Sequence, residues 1–456
     1  MGNEKQEKLE FHGGIIGAII PFISMIIFMM MLVITKHNSM KSFWVPGLLA
    51  LCLSFFLAKD KKKLNHLTIQ ALVEPMFATF IVIFFLAGIL SQLLRVSGLI
   101  NGLIWLCSAA NVNAKFIPLV IFLVCVIIST ACGTTGGTVT AVTPIMFPLA
   151  ISLGCNPALV LGAIISGSFF GDNLAPISDT TIASSGSMRA DVRDVVRSRV
   201  KYSVIAGSIA AVLYIVFGLI TTVPTANQAS VDQAHALTLI MLIVPVVMVI
   251  MMLRGAELIP VLLVCNLLAL ALNLICGFVG VGSLIETDGP IVAGIESMTG
   301  VVIFIVWVFI QVGFIKAAGV FDVLIKKLDR ICKTPAQAEL ASMVVTMVAL
   351  LATASNTVAI VIAGPIVYTL YEKFEIDRKR GANYLDGTAC GLAGILPWNN
   401  SLMMMFALAV SSGFLPEGFS VLQLIPYSFH CILLLIVYFI CAVTGLFRTK
   451  EVYVKE

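Results

Sequence analysis

Four long apolar runs, Gly14 to Ile34, Leu237 to Leu253, Val301 to Ile315 and Leu422 to Leu446, dominate the sequence. Each is near or above the roughly 20 residues a helix needs to cross a hydrocarbon core. Only 11% of the 456 residues are charged and 59% are apolar, where a soluble chain carries about 25% charged residues. The expected fold is an all-α polytopic membrane protein, with no room for a large soluble domain between its segments.

The first run follows a short charged tail, exceeds the length of a signal-peptide core and has no small-residue cleavage site, so it is expected to stay as a helix. Gln6 stands where a myristoylation signal needs Ser or Thr, so no lipid anchor is expected. The 11 cysteines form no CxxC pair and no Cys/His group at zinc-ligand spacing, which reads as free buried thiols and no resident cofactor. Of the five histidines only His430 falls inside a span, where a lone imidazole reads as a packing or hydrogen-bonding group.

With both termini in the cytoplasm, and with Phe116 to Ala150 and Glu339 to Tyr371 entering the membrane and returning, the basic residues sort by side. Of 28 Lys and Arg, 24 fall inside, among them five in Arg189 to Lys201 and four in Lys373 to Arg380; Lys36, Lys41, Arg95 and Lys115 fall outside. That asymmetry fits the positive-inside rule for a multi-pass plasma-membrane protein. A shift of 221 residues places Arg95 to Gly98 on Lys316 to Gly319, Thr143-Pro144 on Gly364-Pro365 and Pro176 on Pro397. Each half then has five crossings and one hairpin, and an odd number of crossings turns the second half upside down. The chain reads as two inverted-topology repeats: residues 1–222, with hairpin 116–150 and discontinuous helix 157–188, and residues 223–456, with hairpin 339–371 and discontinuous helix 384–411. Inverted repeats are a signature of secondary transporters.

Irregular backbone at membrane depth survives only where protein shields it or where it lines an aqueous cavity. Four such breaks are legible: the Gly/Thr-rich Thr130 to Thr138, its repeat partner Ala352 to Thr357, the stretch Gly171 to Thr181 and its partner Gly394 to Ser401. Pro176 and Pro397 remove a helix donor and unwind the residue before them. If the two tips and two linkers meet, their hydroxyls, amides and free carbonyls form an oxygen-rich site for a hard cation such as sodium. The same small residues also serve close helix packing.

An acid inside a bilayer is by default a functional candidate. Asp172 and Asp179 flank Pro176 and are expected to approach one cavity from its two ends, although Ser178 or Asp179 also suits the N-cap of the following half-helix. Under the repeat Asp179 falls on Asn400 and Asp172 on Ala393, so a proton-sensitive site belongs to the first half alone. Glu74, Glu257, Glu296 and Asp386 are expected near segment ends, within reach of water.

The stretch Gly171 to Thr181, GDNLAPISDTT, followed by Ala183-Ser184, resembles the signature of the NhaC-type sodium/proton antiporter family within the wider ion-transporter superfamily. The similarity extends to the Gly/Thr-rich hairpin before it and to Pro397-Trp398-Asn399. The resemblance implies sodium-coupled transport, an inverted-repeat fold with two re-entrant hairpins, and a homodimer with a moving transport domain. Ser355, Asn356 and Thr357 look like the hairpin-tip triplet that binds sodium in related carriers, whereas the first tip has Thr134-Thr135-Gly136. Ser97 to Ala110 and Ala318 to Arg330 read as interfacial arms that link a scaffold to the moving part.

The expected cation and proton ligands are thus Asp172, Asn173, Ser178, Asp179, Thr180, Thr181, Thr134, Thr135, Ser355, Asn356 and Thr357. Pro397, Trp398, Asn399, Asn400 and Ser401 are candidates for holding an organic solute. The expected function is non-enzymatic exchange of Na+ for H+ in a lipid membrane, with no nucleic-acid partner. Family members also include proteins similar to malate/sodium-lactate exchangers, and related carriers move amino acids, so a sodium-coupled carrier of a small organic anion or amino acid is the alternative. An intramembrane aspartyl protease using Asp172 and Asp386 is a poor fit, because Phe169 replaces the first glycine of that group's Gly-x-Gly-Asp motif.

Overall fold

Large apolar side chains stand exposed along helix faces, as Ile209, Val212, Val216, Leu219 and Ile220 do on one long helix. Such a surface is tolerated in lipid and not in water. The computed structural model describes residues 8–35, 41–73, 75–110, 112–223, 233–284, 286–320 and 332–451. Among these, nine helices are long and apolar enough to cross a membrane, or ten if one bent pair counts as a span. The chain is a multi-pass membrane protein.

The first half contains α1 (Gly14–Ile34), α2 (Trp44–Leu57), α3 (Lys61–Val73), α4 (Pro75–Val96), α5 (Leu99–Ala109), α6 (Ile117–Cys132), α7 (Thr135–Ser152), α8 (Pro157–Leu174), α9 (Asp179–Ser187) and α10 (Val192–Thr221). The second contains α11 (Ile243–Leu253), α12 (Leu258–Ile275), α13 (Pro290–Ala317), α14 (Pro335–Thr353), α15 (Asn356–Lys373), α16 (Arg378–Ala393), α17 (Asn400–Ser411) and α18 (Phe429–Thr444). The apolar run Leu422 to Leu446 is not one straight helix: Val421–Tyr427 and α18 meet at 56°. Pro426 and the non-helical Ser428 account for the bend. Of the two segments expected to be arms, the first contains α5, while the second lies outside the described residues from position 321 onward.

Several boundaries recur 221 positions apart. Helices α4 and α13 end at Val96 and Ala317, α7 and α15 both start and end at that spacing, and α9 and α17 start at Asp179 and Asn400. The hairpin tips follow the same rule. Gly133 closes α6 in the left-handed region at φ 69° and Ala354 closes α14 there at φ 51°. A left-handed C-cap ends a helix by giving its orphan carbonyls a donor.

Helix α10 has 30 residues and so is about 45 Å long, which makes it a ruler for the rest. Near its C-terminal end Gly218 abuts the Lys115 carbonyl at the mouth of the α6–α7 hairpin, and the Tyr214 hydroxyl donates to the carbonyls of Gly162 and Tyr427, each at 2.8 Å. Near its N-terminal end Tyr202 accepts from Arg380, which in turn binds Glu339 at the mouth of the α14–α15 hairpin. The mouths of the two hairpins therefore lie toward opposite ends of α10, and both tips reach the stretch 177–179, Gly133 lying against Ile177 and Thr357 bonding to Asp179.

Gly167 and Gly171 let α8 press against α6. A Cβ on Gly167 would come 2.4 Å from the Phe122 carbonyl oxygen, and one on Gly171 would come 2.6 Å from the Thr130 nitrogen. Four-residue spacing puts both on one face, the small-xxx-small device of membrane helices. Gly167→Val is expected to force these backbones apart and to cost about 1–3 kcal/mol, read as a lower thermal midpoint of the purified protein. An unchanged midpoint would show that α8 can move away freely.

Candidate functional site

Helix α8 stops where the sequence forbids it to continue. Ala175 precedes Pro176 and is extended (φ −73°, ψ 123°), and α9 resumes at Asp179. The tip of the first hairpin lies against this break, with Gly133 so close that a Cβ there would meet Ile177 at 2.6 Å. The buried Asp172 sits on the last turn of α8 and takes one hydroxyl on each carboxylate oxygen. Thr135 at the hairpin tip donates to Oδ2 at 2.8 Å, and Ser178 in the break donates to Oδ1 at 2.7 Å. Ser178 stands at the N-cap of α9 without a side-chain cap bond, because its hydroxyl is directed to Asp172 and Thr180 instead. Thr134 has the opposite fate: it caps α7 by accepting from the Gly137 N–H. Among the described residues no Lys or Arg side chain bonds to Asp172, so two neutral hydroxyls alone hold a buried acid.

Asn173 and Thr181 face another group. The Asn173 carbonyl and the Thr181 hydroxyl accept from Arg199 Nη1 at 2.7 and 2.9 Å, and the same nitrogen pairs with Asp386 on α16. Arg199 Nε donates to Asn383 at 3.0 Å, Ser203 donates to Asn173 Oδ1 at 2.6 Å, and Cys390 donates to the other Asp386 oxygen at 3.2 Å. Both members of this ion pair are 0% exposed.

One expectation is corrected here and one residue gains a place. Asp386 does not reach water, because α16 begins at Arg378 and carries it two turns into the protein. Arg199, counted above among the inside basic residues without a role, is a buried residue of α10. A signal for it existed: Val195, Arg199, Tyr202 and Ala206 recur at helical spacing on one buried face. Of the other acids, Glu257 and Glu296 are exposed, and Glu74 lies outside the described residues.

The second tip meets both breaks. Thr357 at the start of α15 donates to Asp179, whose side chain is otherwise exposed. Asn399 and Asn400 donate to the Ala354 carbonyl at 3.4 and 3.1 Å, and Asn399 also donates to Asn356 Oδ1 at 3.3 Å. Asn399 caps α17 by accepting from the Ser401 N–H. Ser355 stands at the N-cap of α15, its side chain making no cap bond, and Pro397 is half-buried in the linker. Trp398 packs edge-on against Phe22 of α1, ring centroids 5.2 Å apart. Its indole N–H and the Asn400 Oδ1 are buried without a partner.

The structure thus brings Thr135, Asp172, Ser178 and Thr180 together, joins Asp179 to Thr357, and gathers Asn356, Asn399 and Asn400 around Ala354. The described residues contain no group of three or more His, Cys, Asp and Glu that could hold a metal. The ligands on offer are hydroxyls, amides, carbonyls and carboxylates, which suit a hard, weakly held cation.

Comparison with known proteins agrees over nearly the whole chain. The malate-2H(+)/Na(+)-lactate antiporter of Bacillus subtilis is 25% identical over 350 residues, covering 72% of this chain and 74% of that protein. The Na(+)/H(+) antiporter NhaC of Alkalihalophilus pseudofirmus is 23% identical over 384 residues, covering 79% and 80%. The arginine/ornithine antiporter ArcD of Halobacterium salinarum is 25% identical over 356 residues, covering 73% and 72%. The model of the Na+/H+ antiporter family matches residues 12–219 and 224–446, a span that includes both hairpins and both broken helices. By that match this multi-pass membrane protein, with its acid on a broken helix, belongs to the Na+/H+ antiporter family.

Proposed function

We propose that the chain exchanges Na+ for H+ by alternating access, with Asp172 as the carboxylate that the two ions share. The observation that carries this is a buried acid bonded, among the described residues, only to the hydroxyls of Thr135 and Ser178. A buried negative charge without a countercharge is costly, so it calls for a proton or a metal cation. Only one of the two fits at a time. Occupancy by either, exposed in turn to each side, is exchange.

Sodium in this reading takes the Asp172 carboxylate with the oxygens of Thr135, Ser178 and Thr180, while Asp179 and Thr357 guard the approach from the second tip. The hairpin mouths toward opposite ends of α10 and the 221-residue recurrence of helix ends support two inverted repeats, residues 1–222 and 223–456. Each repeat supplies one tip and one linker. The basic residues support cytoplasmic termini in the plasma membrane. We also propose a homodimer and no resident cofactor, the ions being cargo.

A second reading is favoured by one observation. The Trp398 N–H and Asn400 Oδ1 form an unpartnered donor and acceptor in the neutral linker, which suits a small organic anion or amino acid carried with sodium. Two of the relatives are named for organic solutes. The protease reading loses its second acid, since Asp386 is paired with Arg199.

Proteoliposomes with an imposed sodium gradient and an internal pH dye separate the two. Sodium-driven pH change without added solute is the expected result. No pH change, together with solute-dependent sodium uptake, would reject exchange in favour of the carrier.

A further inference from the structure

We infer that Asp386 is a positioning residue for the exchange: it holds the Arg199 guanidinium away from Asp172, and so leaves the Asp172 carboxylate free for the transported ion. The inference rests on the reading of Asp172 as the shared carboxylate.

Arg199 brings a fixed positive charge to the broken end of α8. Its Nη1 donates to the carbonyl of Asn173, the residue next to Asp172. A guanidinium that close is a ready partner for a carboxylate, and its planar fork favours a two-point bond. Were it to take that partner, a covalently attached cation would occupy the site in place of a mobile one. Yet neither Asp172 oxygen meets it.

The second half of the chain supplies the reason. Helix α16 presents two acceptors three residues apart, Asn383 Oδ1 to Nε and Asp386 Oδ2 to Nη1, and so grips the guanidinium at two of its nitrogens. Thr181 on α9 completes the clamp, donating to Asp386 at 3.3 Å and accepting from Arg199. With both charged side chains 0% exposed, water is no substitute for either partner. The negative charge of Asp386 is consumed by Arg199, and the negative charge of Asp172 is not. One acid is made permanent counter-ion so that the other can be exchangeable.

The test uses the full chain in proteoliposomes, with folding of each variant checked by monodisperse elution and by its thermal midpoint. The readout is the sodium dependence of proton movement, split into apparent KM and maximal rate. Asp386→Asn is expected to raise the sodium KM at least about tenfold, because the freed guanidinium turns to Asp172. Asn383→Asp combined with Asp386→Asn moves the acid to the Nε side of the same guanidinium, and is expected to return KM to within about threefold of the parent. Arg199→Gln combined with Asp386→Asn removes both charges and is expected to do the same.

If Asp386→Asn does not fold, the two double variants decide. Parent-like KM in both supports the inference, and a tenfold rise in both, in folded protein, overturns it. A parent-like KM in folded Asp386→Asn also overturns it. Failure of the underlying reading looks different: Asp172→Asn would then keep the parent KM, and the inference would fall with it.

Discussion

Asp172→Asn is expected to reduce sodium-driven proton movement at least about 100-fold while leaving the protein folded. The asparagine keeps the size of the side chain and can still bond to Thr135 and Ser178, so packing around the α8 break has no reason to change. What disappears is the charge. Without it the site offers sodium only neutral oxygens and offers the proton nothing. Competition between the two ions gives a second, independent signature in the parent protein. On the acid side of the carboxylate's titration, the apparent sodium KM should rise by up to about tenfold per pH unit while the maximal rate changes little, since proton and sodium binding are reciprocally linked. Asp179→Asn should cost much less, about tenfold, because Asp179 is exposed and, among the described residues, Thr357 alone bonds to its side chain. Initial rates in proteoliposomes across a pH series measure all three. Full exchange activity in Asp172→Asn would remove Asp172 from the mechanism, whatever Asp179 does.

The pieces of this site that were legible in the sequence are those made by local chemistry. Pro176 after an apolar run, Gly133 before two threonines and Asn399 ahead of a new helix each act on the residues beside them. Such effects leave a readable trace. The placement of Thr135 near Asp172 follows from the same logic, since a hairpin tip and a helix break both need partners at membrane depth. Arg199 and Asp386 were hidden for a different reason. Arg199 sits among four other basic residues between Arg189 and Lys201, and a cluster of that kind reads as a cytoplasmic loop. Its burial depends on where α16 packs, and Asp386 meets it from the other half of the chain. Trp398 shows the same limit: its partner Phe22 comes from α1, which no spacing around the linker reveals.

The second large effect belongs to Glu339, and it concerns stability rather than transport. Its carboxylate is fully buried at the mouth of the α14–α15 hairpin, where two guanidiniums converge on it. Arg380 donates at 2.7 and 3.0 Å, Arg448 at 2.7 and 2.9 Å, and the Tyr384 hydroxyl adds a fifth bond at 3.3 Å. Through Arg380 the cluster also reaches Tyr202 of α10 and the carbonyls of Cys441 and Leu446. One carboxylate thereby ties together the hairpin, the start of α16, α10 and the end of α18. Glu339→Gln keeps the volume but faces one guanidinium with an N–H, and leaves the positive charges of Arg380 and Arg448 uncompensated. Breaking a buried ion cluster in this way costs about 3–5 kcal/mol, so the thermal midpoint of the purified protein should fall by several degrees. Arg448→Gln should cost less, about 1 kcal/mol, because its side chain is 23% exposed and Arg380 still holds Glu339. The cluster lies at the mouth of the hairpin, while Thr357 and Ala354 at its tip meet Asp179 and Asn400 of the two broken helices. Folded Glu339→Gln protein should therefore keep the parent sodium KM. A raised KM without loss of stability would mean instead that the mouth of the hairpin moves with the ion, and that Glu339 is part of the transport cycle rather than of its frame.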